Sequence, residues 1–138
     1  MSGKTLIDPG WEWDDDFPLA QAVKVGDLLF LSGQISVDSK GEVVGRGDLR
    51  TQTRQVFENI KTLLAKAGAT FDDIVKMNTY FTTDIHDFQD YFAVRLEYFK
   101  KSRPASTGVQ VVALAFEGLM LEVEAVAVLR RRPKTRRR

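Results

Sequence analysis

The sequence of 138 residues contains no cysteine and a single histidine. The lack of cysteine excludes disulfide bonds, cysteine-ligated metal sites and thiol nucleophiles, and one histidine excludes a two-histidine zinc site. No apolar run reaches the roughly 18–20 residues that a membrane-spanning helix needs. The first residues also lack the charged and then apolar pattern of a signal peptide. We therefore expect a cytoplasmic protein with no metal site and no membrane partner.

Charge is distributed unevenly along the chain, although the formal net charge is only +1. Residues 130–138 read RRRPKTRRR and hold 7 of the 20 Lys and Arg side chains, so the first 129 residues carry 13 basic and 19 acidic ones. An acidic body argues against a nucleic-acid-binding domain, which normally shows a basic patch. We predict one domain over residues 1–129, including an N-terminal arm over 1–17, and a disordered tail that binds nucleic acid only weakly.

Two segments have the apolar spacing of amphipathic helices. The first runs from about Asp48, whose carboxylate can cap the first turn, to Ala67. Gly68 suits the left-handed position that often follows a helix. The second helix runs from about Asp87 to Lys101. Its apolar stripe contains Phe88, Tyr91, Phe92, Leu96 and Phe99.

The other regular segments have the composition of strands. They cover residues 20–25, 27–32, 74–83, 107–114 and 119–129. The order β-β-α-β-α-β-β predicts an α+β sandwich with both helices on one face of a mixed sheet. That arrangement leaves the other face of the sheet uncovered. Since a large apolar face does not stay exposed in a monomer, we expect an oligomer in which these faces meet.

Two segments carry polar groups suited to chemistry. Ser32 and Gly33 end a strand, where the glycine allows a ligand to approach backbone N–H groups. Glu122 and Glu124 lie on one face of an otherwise apolar strand, where burial raises the pKa of a carboxyl group. A carboxyl group with a raised pKa can transfer protons near neutral pH. The alternative is that both carboxylates form surface or interface ion pairs, and the spacing alone favours this alternative.

Five stretches of the sequence resemble, in order, the Rid family, also called YjgF/YER057c/UK114. They are GDLLFLSGQI at 26–35, QTRQVFENI at 52–60, DIVK at 73–76, PA at 104–105 and LEVEAVAV at 121–128. The resemblance spans about residues 18–129. It implies a chorismate-mutase-like sandwich and a homotrimer whose sheets form a central barrel. It also implies hydrolysis of imines and enamines to ammonia and a carbonyl product, in clefts between subunits and without a cofactor.

The resemblance assigns roles residue by residue. Glu122 corresponds to the glutamate associated with the attacking water, and Ser32 and Gly33 correspond to the turn that holds the ligand. Ser106 stands where the deaminases of the family have the arginine that pairs with the substrate carboxylate. Because that pair is bidentate and charge-assisted, serine cannot reproduce it. Arg103 precedes Pro104, and we do not expect it to reach the same cleft.

Three further positions are smaller or more apolar than is usual in the family. Gly108 stands where many members have cysteine, Leu19 where many have a pocket tyrosine, and Phe92 where some have asparagine. These changes predict a larger and more apolar ligand, and little hydrolysis of small 2-imino acids. Trp11 and Trp13 are explained either by such a ligand or by an arm that packs on the body.

The sequence thus predicts a C–N bond hydrolase similar to imine and enamine deaminases, acting on a small-molecule substrate. Glu122 is the expected catalytic residue. The expected substrate-binding residues are Ser32, Gly33, Ser106, Thr107, Gly108, Leu19 and Phe92. Two alternatives stay open. One is a non-catalytic binding or sensor protein, which would bind its ligand without turnover. The other is a ribonuclease-like relative, whose RNA cleavage would depend on the folded body.

Overall fold

The computed structural model describes residues 3–130. Within them lie two helices, α1 (Leu49–Lys66) and α2 (Gln89–Tyr98). The strands are β1 (Lys4–Ile7), β2 (Ala22–Val25), β3 (Leu28–Gln34), β4 (Ile74–Phe81), β5 (Ala105–Gln110) and β6 (Leu121–Val128). Of the predicted basic tail, only Arg130 is described, and residues 131–138 lie outside the described part.

The six strands form one sheet in the order β1-β2-β3-β6-β4-β5. β4 and β5 are parallel, and the other neighbours are antiparallel. Both helices pack on the same face, where the apolar side chains of α1 and α2 share one core with those of β3, β4 and β6. The predicted α+β fold, with two helices on one face of a mixed sheet, is confirmed.

One strand was not predicted. β1 lies in the predicted N-terminal arm, where its four residues are mostly exposed and show no apolar alternation. Its backbone pairs with β2, from Lys4 opposite Val25 to Ile7 opposite Ala22. The predicted order β-β-α-β-α-β-β is therefore wrong by one strand at its start. Pairing at a sheet edge depends on backbone hydrogen bonds and needs no hydrophobic pattern in the added strand.

The strand after α2 is also placed differently. The prediction put it at residues 107–114, whereas β5 begins at Ala105 and ends at Gln110. The N–H of Val111 still donates to the carbonyl oxygen of Phe81 at 2.7 Å. Val112 is fully exposed, so the chain has left the sheet there. The prediction relied on apolar composition alone, and it therefore placed the end of this strand beyond Gln110, where β5 ends.

The ends of α1 agree with the prediction. The carboxylate of Asp48 accepts the N–H of Thr51 at 3.2 Å and so satisfies a free donor of the first turn. Gly68, two residues after the helix, has a φ of 75°, which glycine adopts without strain. Local capping chemistry therefore determines where this helix begins and ends.

α2 is shorter than predicted, because a separate 3-10 turn at Ile85–Asp87 precedes it. Aromatic packing holds α2 against α1. The ring of Phe57 contacts those of Tyr91, Tyr98 and Phe99 at centroid distances of 5.0–6.1 Å. This packing determines which face of α2 points toward the sheet.

The sheet face opposite the helices, called the open face below, has no element of residues 3–130 packed over it. Strand alternation puts partly exposed apolar side chains on it, with 40–44% of their surface accessible: Val25, Leu28, Phe30, Val109 and Val128. Polar side chains from β4 and β6 lie among them. Neither helix of the described chain has the length and apolarity needed to cross a membrane.

Candidate functional site

Strand register divides the predicted site residues between the two faces of the sheet. Ser106 pairs with Met77, which is buried beneath the helices, so Ser106 lies on the helix face. Gly108 lies on the same face by alternation. Glu122 lies between the buried Leu121 and Val123 and therefore points to the open face. Within the described chain, Glu122 and Ser106 do not share a cavity.

Glu122 packs against the backbone of Gly33. The pairing of β3 with β6 is irregular between Leu31 and Gln34, and Gly33 lies in that interval. A Cβ atom built on Gly33 would lie 2.7 Å from Cδ of Glu122 and would collide with its Oε1. Glycine lets the carboxylate lie directly on the strand backbone, and a Cβ atom here would displace it.

The second carboxylate of β6 is held by its neighbours. Oε1 of Glu124 accepts a hydrogen bond from the hydroxyl of Tyr80 at 2.6 Å and one from the amide of Asn78 at 3.1 Å. Together with burial and the nearby carboxylates, the Tyr80–Glu124 hydrogen bond raises the pKa of Tyr80 above its ordinary value. Glu124 is thus a fixed acceptor on the open face.

Glu122 differs from Glu124 in its contacts. No hydrogen bond or ion pair to its carboxylate occurs within residues 3–130. Burial, and secondarily the charge of Glu124, raises the pKa of Glu122 above its usual range. The predicted direction is confirmed. A carboxyl group that is uncommitted and partly desolvated can both accept and donate a proton.

The other predicted open-face residues are already engaged in hydrogen bonds. The hydroxyl of Ser32 donates to the carbonyl of Ala20 at 2.6 Å, and its N–H donates to Gln21 at 2.9 Å. Ser32 therefore retains only acceptor capacity toward a ligand. The hydroxyl of Thr107 accepts a hydrogen bond from the ammonium group of Lys76 at 3.2 Å. Lys76, Asn78 and Tyr80 were not predicted, because their importance follows from cross-strand register.

A cavity of about 500 Å³ lies on the helix face between α2 and the β4–β5 edge. Phe92, Ser106 and Gly108, all predicted as site residues, line it together. Most of the other lining is aromatic or aliphatic. Arg103 also lines the cavity beside Ser106, contrary to expectation, because the turn after α2 brings it back over this edge.

Arg95 of α2 is the most informative residue that the sequence did not reveal. Its Nη1 donates to the hydroxyl of Ser106 at 2.9 Å and to that of Tyr91 at 3.3 Å. Arg95 follows Tyr91 by one helical turn, so the two side chains are neighbours on the helix surface. This spacing was the signal in the sequence that could have pointed to Arg95. The sequence could not show that this helix face meets Ser106.

Leu19 and the two tryptophans lie away from this cavity. Leu19 is 53% exposed and does not line it. The indoles of Trp11 and Trp13 stack at 5.5 Å, and Trp13 also contacts Phe17 edge-on at 5.9 Å. Nε1 of Trp13 donates to the carbonyl of Asp38 at 3.0 Å. In the described chain, both tryptophans pack the arm onto the body.

Comparison with known proteins adds the family. The family model described as Endoribonuclease L-PSP matches residues 16–129, most of the chain. A solved structure of a Rid family protein of unknown function from Yersinia pestis superimposes with a TM-score of 0.83. It is 33% identical in sequence, and the alignment covers 91% of this chain and 99% of that one. The chain belongs to the Rid family.

Individual relatives of this Rid protein carry two kinds of name. A RutC family protein of Pyrococcus horikoshii is 44% identical over 111 residues, which are 80% of this chain and 86% of the relative. The human 2-iminobutanoate/2-iminopropanoate deaminase is 38% identical over 112 residues, 80% of each chain.

Residues 3–130 contain no cluster of three or more His, Asp or Glu side chains suited to a metal ion.

Proposed function

We propose that this Rid protein hydrolyses the C–N bond of an imine or enamine and releases ammonia and a carbonyl product. The observation that carries the proposal is the environment of Glu122. Its carboxylate lies on the backbone of Gly33, has no hydrogen-bond partner in the described chain, and has a raised pKa. A relative named as an imine deaminase, 38% identical, supports the same reaction class.

In the proposed mechanism, Glu122 carries the two protons of a water molecule to the nitrogen in turn. As a carboxylate it accepts a proton from water while the water oxygen bonds to the imine carbon, and the carboxyl group then donates that proton to the nitrogen to give a neutral carbinolamine. Glu122 next accepts the hydroxyl proton as the carbonyl forms and donates it to the nitrogen as the C–N bond breaks, so that ammonia leaves and the carboxylate is regenerated. An enamine must first be protonated at carbon to give the imine. Two carboxylates two residues apart thus have different tasks, since Glu124 is held by Asn78 and Tyr80.

The complete site in this proposal is built from more than one subunit. Glu122, Ser32 and Thr107 lie on the open face, whereas Ser106 and Phe92 line the cavity on the helix face. A homotrimer in which a neighbouring chain covers the open face would bring the two groups into one cleft. The partly exposed apolar side chains of that face support such an assembly.

The reaction is tested by ammonia release from imines generated in situ from amino acids of increasing side-chain size. Glu122→Gln removes the proton-accepting group but keeps the shape of the side chain. We expect it to lower kcat/KM about 100-fold or more. Glu58→Gln, on the exposed side of α1, is the matched control and should retain wild-type activity.

Three results would contradict the proposal. Equal activity of Glu122→Gln and the wild type would remove Glu122 from the mechanism. Ligand binding without ammonia release from any imine would instead favour a sensor protein. RNA cleavage by residues 1–129 alone would favour a ribonuclease.

A further inference from the structure

The cavity on the helix face is mostly apolar but carries positive charge. Its walls are formed largely by Phe81, Phe88, Phe92, Leu96 and Phe99. The guanidinium groups of Arg95 and Arg103 supply the charge, and no Asp or Glu of residues 3–130 lines the cavity. An apolar cavity with cationic side chains is suited to a molecule that joins an anionic group to a bulky apolar one.

Arg95 is held in place by neutral partners only. Its guanidinium carbon lies 5.8 Å from the ring centroid of Tyr91 and 5.6 Å from that of Phe99. The hydroxyl of the buried Tyr91 is itself 2.8 Å from that of Thr79. A guanidinium group has five N–H donors, and only Nη1 is used by Ser106 and Tyr91. Arg95 therefore has donors left for a ligand, already oriented.

The arginines of α1 provide a contrast. Arg50 pairs with Asp90 at 2.8 Å, and Arg54 pairs with Glu97 at 3.0 Å. No carboxylate lies within ion-pair distance of Arg95 in residues 3–130. A carboxylate pairs with guanidinium through two parallel hydrogen bonds, and it is therefore an anionic group that the unused donors of Arg95 fit.

The size of the cavity indicates what the carboxylate is attached to. A volume of about 500 Å³ is typical of sites for small molecules with a substantial apolar part. Gly108 adds to the space, since a Cβ there would meet Phe81 at 3.5 Å and project into the cavity. A two- or three-carbon acid would leave most of the aromatic wall in contact with water.

We propose that Arg95, held against Ser106, binds the carboxylate of a 2-imino acid whose aromatic or long aliphatic side chain fills the aromatic part of this cavity. The identity of the reacting bond rests on the function proposed above. Recognition of the carboxylate does not, because it follows from the cavity alone. The guanidinium on α2 thus supplies the contact that Ser106 on β5 cannot make.

The test is calorimetric binding of a stable probe, phenylpyruvate, compared with its primary amide. We expect the wild type to bind the acid about 10- to 100-fold more tightly than the amide, the effect of one charged hydrogen-bonded contact. Arg95→Met should abolish that preference and leave amide binding unchanged. Arg54→Met is the matched control and should behave as the wild type does.

A double variant separates loss of the contact from misfolding. Arg95→Ser combined with Ser106→Arg moves the guanidinium from α2 to β5 and should restore the preference for the acid. An undiminished preference in Arg95→Met would overturn the proposal. Loss of the preference in Arg103→Met instead of Arg95→Met would also overturn it. The same holds if the wild type binds acid and amide equally well, or if it binds neither probe.

The outcomes also separate this inference from the proposed reaction. Arg95-dependent acid binding without ammonia release from any imine would refute the reaction and retain the binding site. The opposite result is that ammonia release depends on Glu122, while Arg95→Met changes neither ammonia release nor acid binding. That result would retain the reaction and refute the role of Arg95.

Discussion

At the scale of single residues, Glu122 and Glu124 show how position decides chemistry. Both point to the open face from β6, where they are alternate residues of the strand. Glu124 is engaged by Tyr80 and Asn78, whereas Glu122 lies against the backbone of Gly33 without a hydrogen-bond partner in residues 3–130. The same side chain is a fixed acceptor at one position and an uncommitted carboxyl group at the other.

The raised pKa of Glu122 predicts a pH-dependent change in stability. A partly buried carboxyl group resists ionisation, so the penalty on the folded state grows as pH rises above the ordinary value of 4.5 and is complete once pH exceeds the raised pKa. Below the ordinary value of 4.5, the group is protonated in both the folded and the unfolded states, and the penalty vanishes. We expect Glu122→Gln to unfold at a higher temperature than the wild type at pH 7–8. The difference should shrink as pH falls toward 4.5.

Calorimetric melting of both proteins across this pH range, at one protein concentration, measures the effect. Glu58→Gln should show no such pH-dependent difference, because its parent carboxylate is exposed. A Glu122→Gln variant that is less stable than the wild type at pH 8, and equally so at pH 4.5, would contradict the argument.

Residue-level prediction from sequence succeeded where the cause is local. The direction of the Glu122 pKa shift follows from a carboxylate in an apolar strand, and it is confirmed. Arg95 was missed because its meeting with Ser106 depends on the rotation of α2. That rotation follows from the aromatic contacts around Phe57, which join α1 to α2 and the residue after it. No spacing along one segment encodes such a contact.

At the scale of elements, the connection between α1 and β4 depends on one buried carboxylate. Oδ2 of Asp73 accepts the N–H of Thr70 at 2.9 Å, and Oδ1 accepts Nε of Arg130 at 2.9 Å. The side chain of Asp73 is only 5% exposed. Asp73 thereby joins the turn before β4 to Arg130, which lies just beyond the end of β6.

Removal of that carboxylate should destabilise the fold. We expect Asp73→Ala to lower the free energy of unfolding by about 1–3 kcal/mol, since it removes a buried carboxylate together with its charge-assisted hydrogen bonds to Thr70 and Arg130. Asp72→Ala changes the exposed neighbour in the same turn and should cost much less. Urea unfolding at a fixed protein concentration compares the two, and equal losses would show that burial of Asp73 is unimportant.

Elements with their own chemical signals were predictable, and elements that depend on a partner were not. α1 has a capping aspartate and a following glycine, and both lie where expected. β1 has neither a signal nor a buried face, and only its pairing with β2 makes it a strand. The same reasoning explains why the prediction for β5 continued past Gln110, where the partner strand ends.

At the scale of the whole molecule, nothing in residues 3–130 covers one face of the sheet. Phe30, Leu28 and Val128 expose about two-fifths of their surface there, next to the polar group formed by Tyr80 and Glu124. The uncovered face was anticipated from the strand–helix order. The assembly that covers it stays a prediction.

We expect the protein to behave in solution as a trimer, with three times the 15.6 kDa mass of the chain. Light scattering coupled to size-exclusion chromatography measures this directly. Phe30→Asp adds a charge to the open face and should shift the protein toward the monomer and reduce ammonia release. Ala65→Asp adds the same charge to the exposed side of α1 and should change neither property. A monomeric wild type would exclude both the trimer and a site shared between subunits.

The contact between Gly33 and Glu122 also constrains how this protein can change over evolutionary time. A side chain at position 33 would displace the flexible side chain of Glu122 from the strand backbone. Such a protein would keep the acid but lose its position for the proposed reaction. The two residues should therefore be conserved together. Family members in which both Gly33 and Glu122 have been replaced should lack the proposed activity.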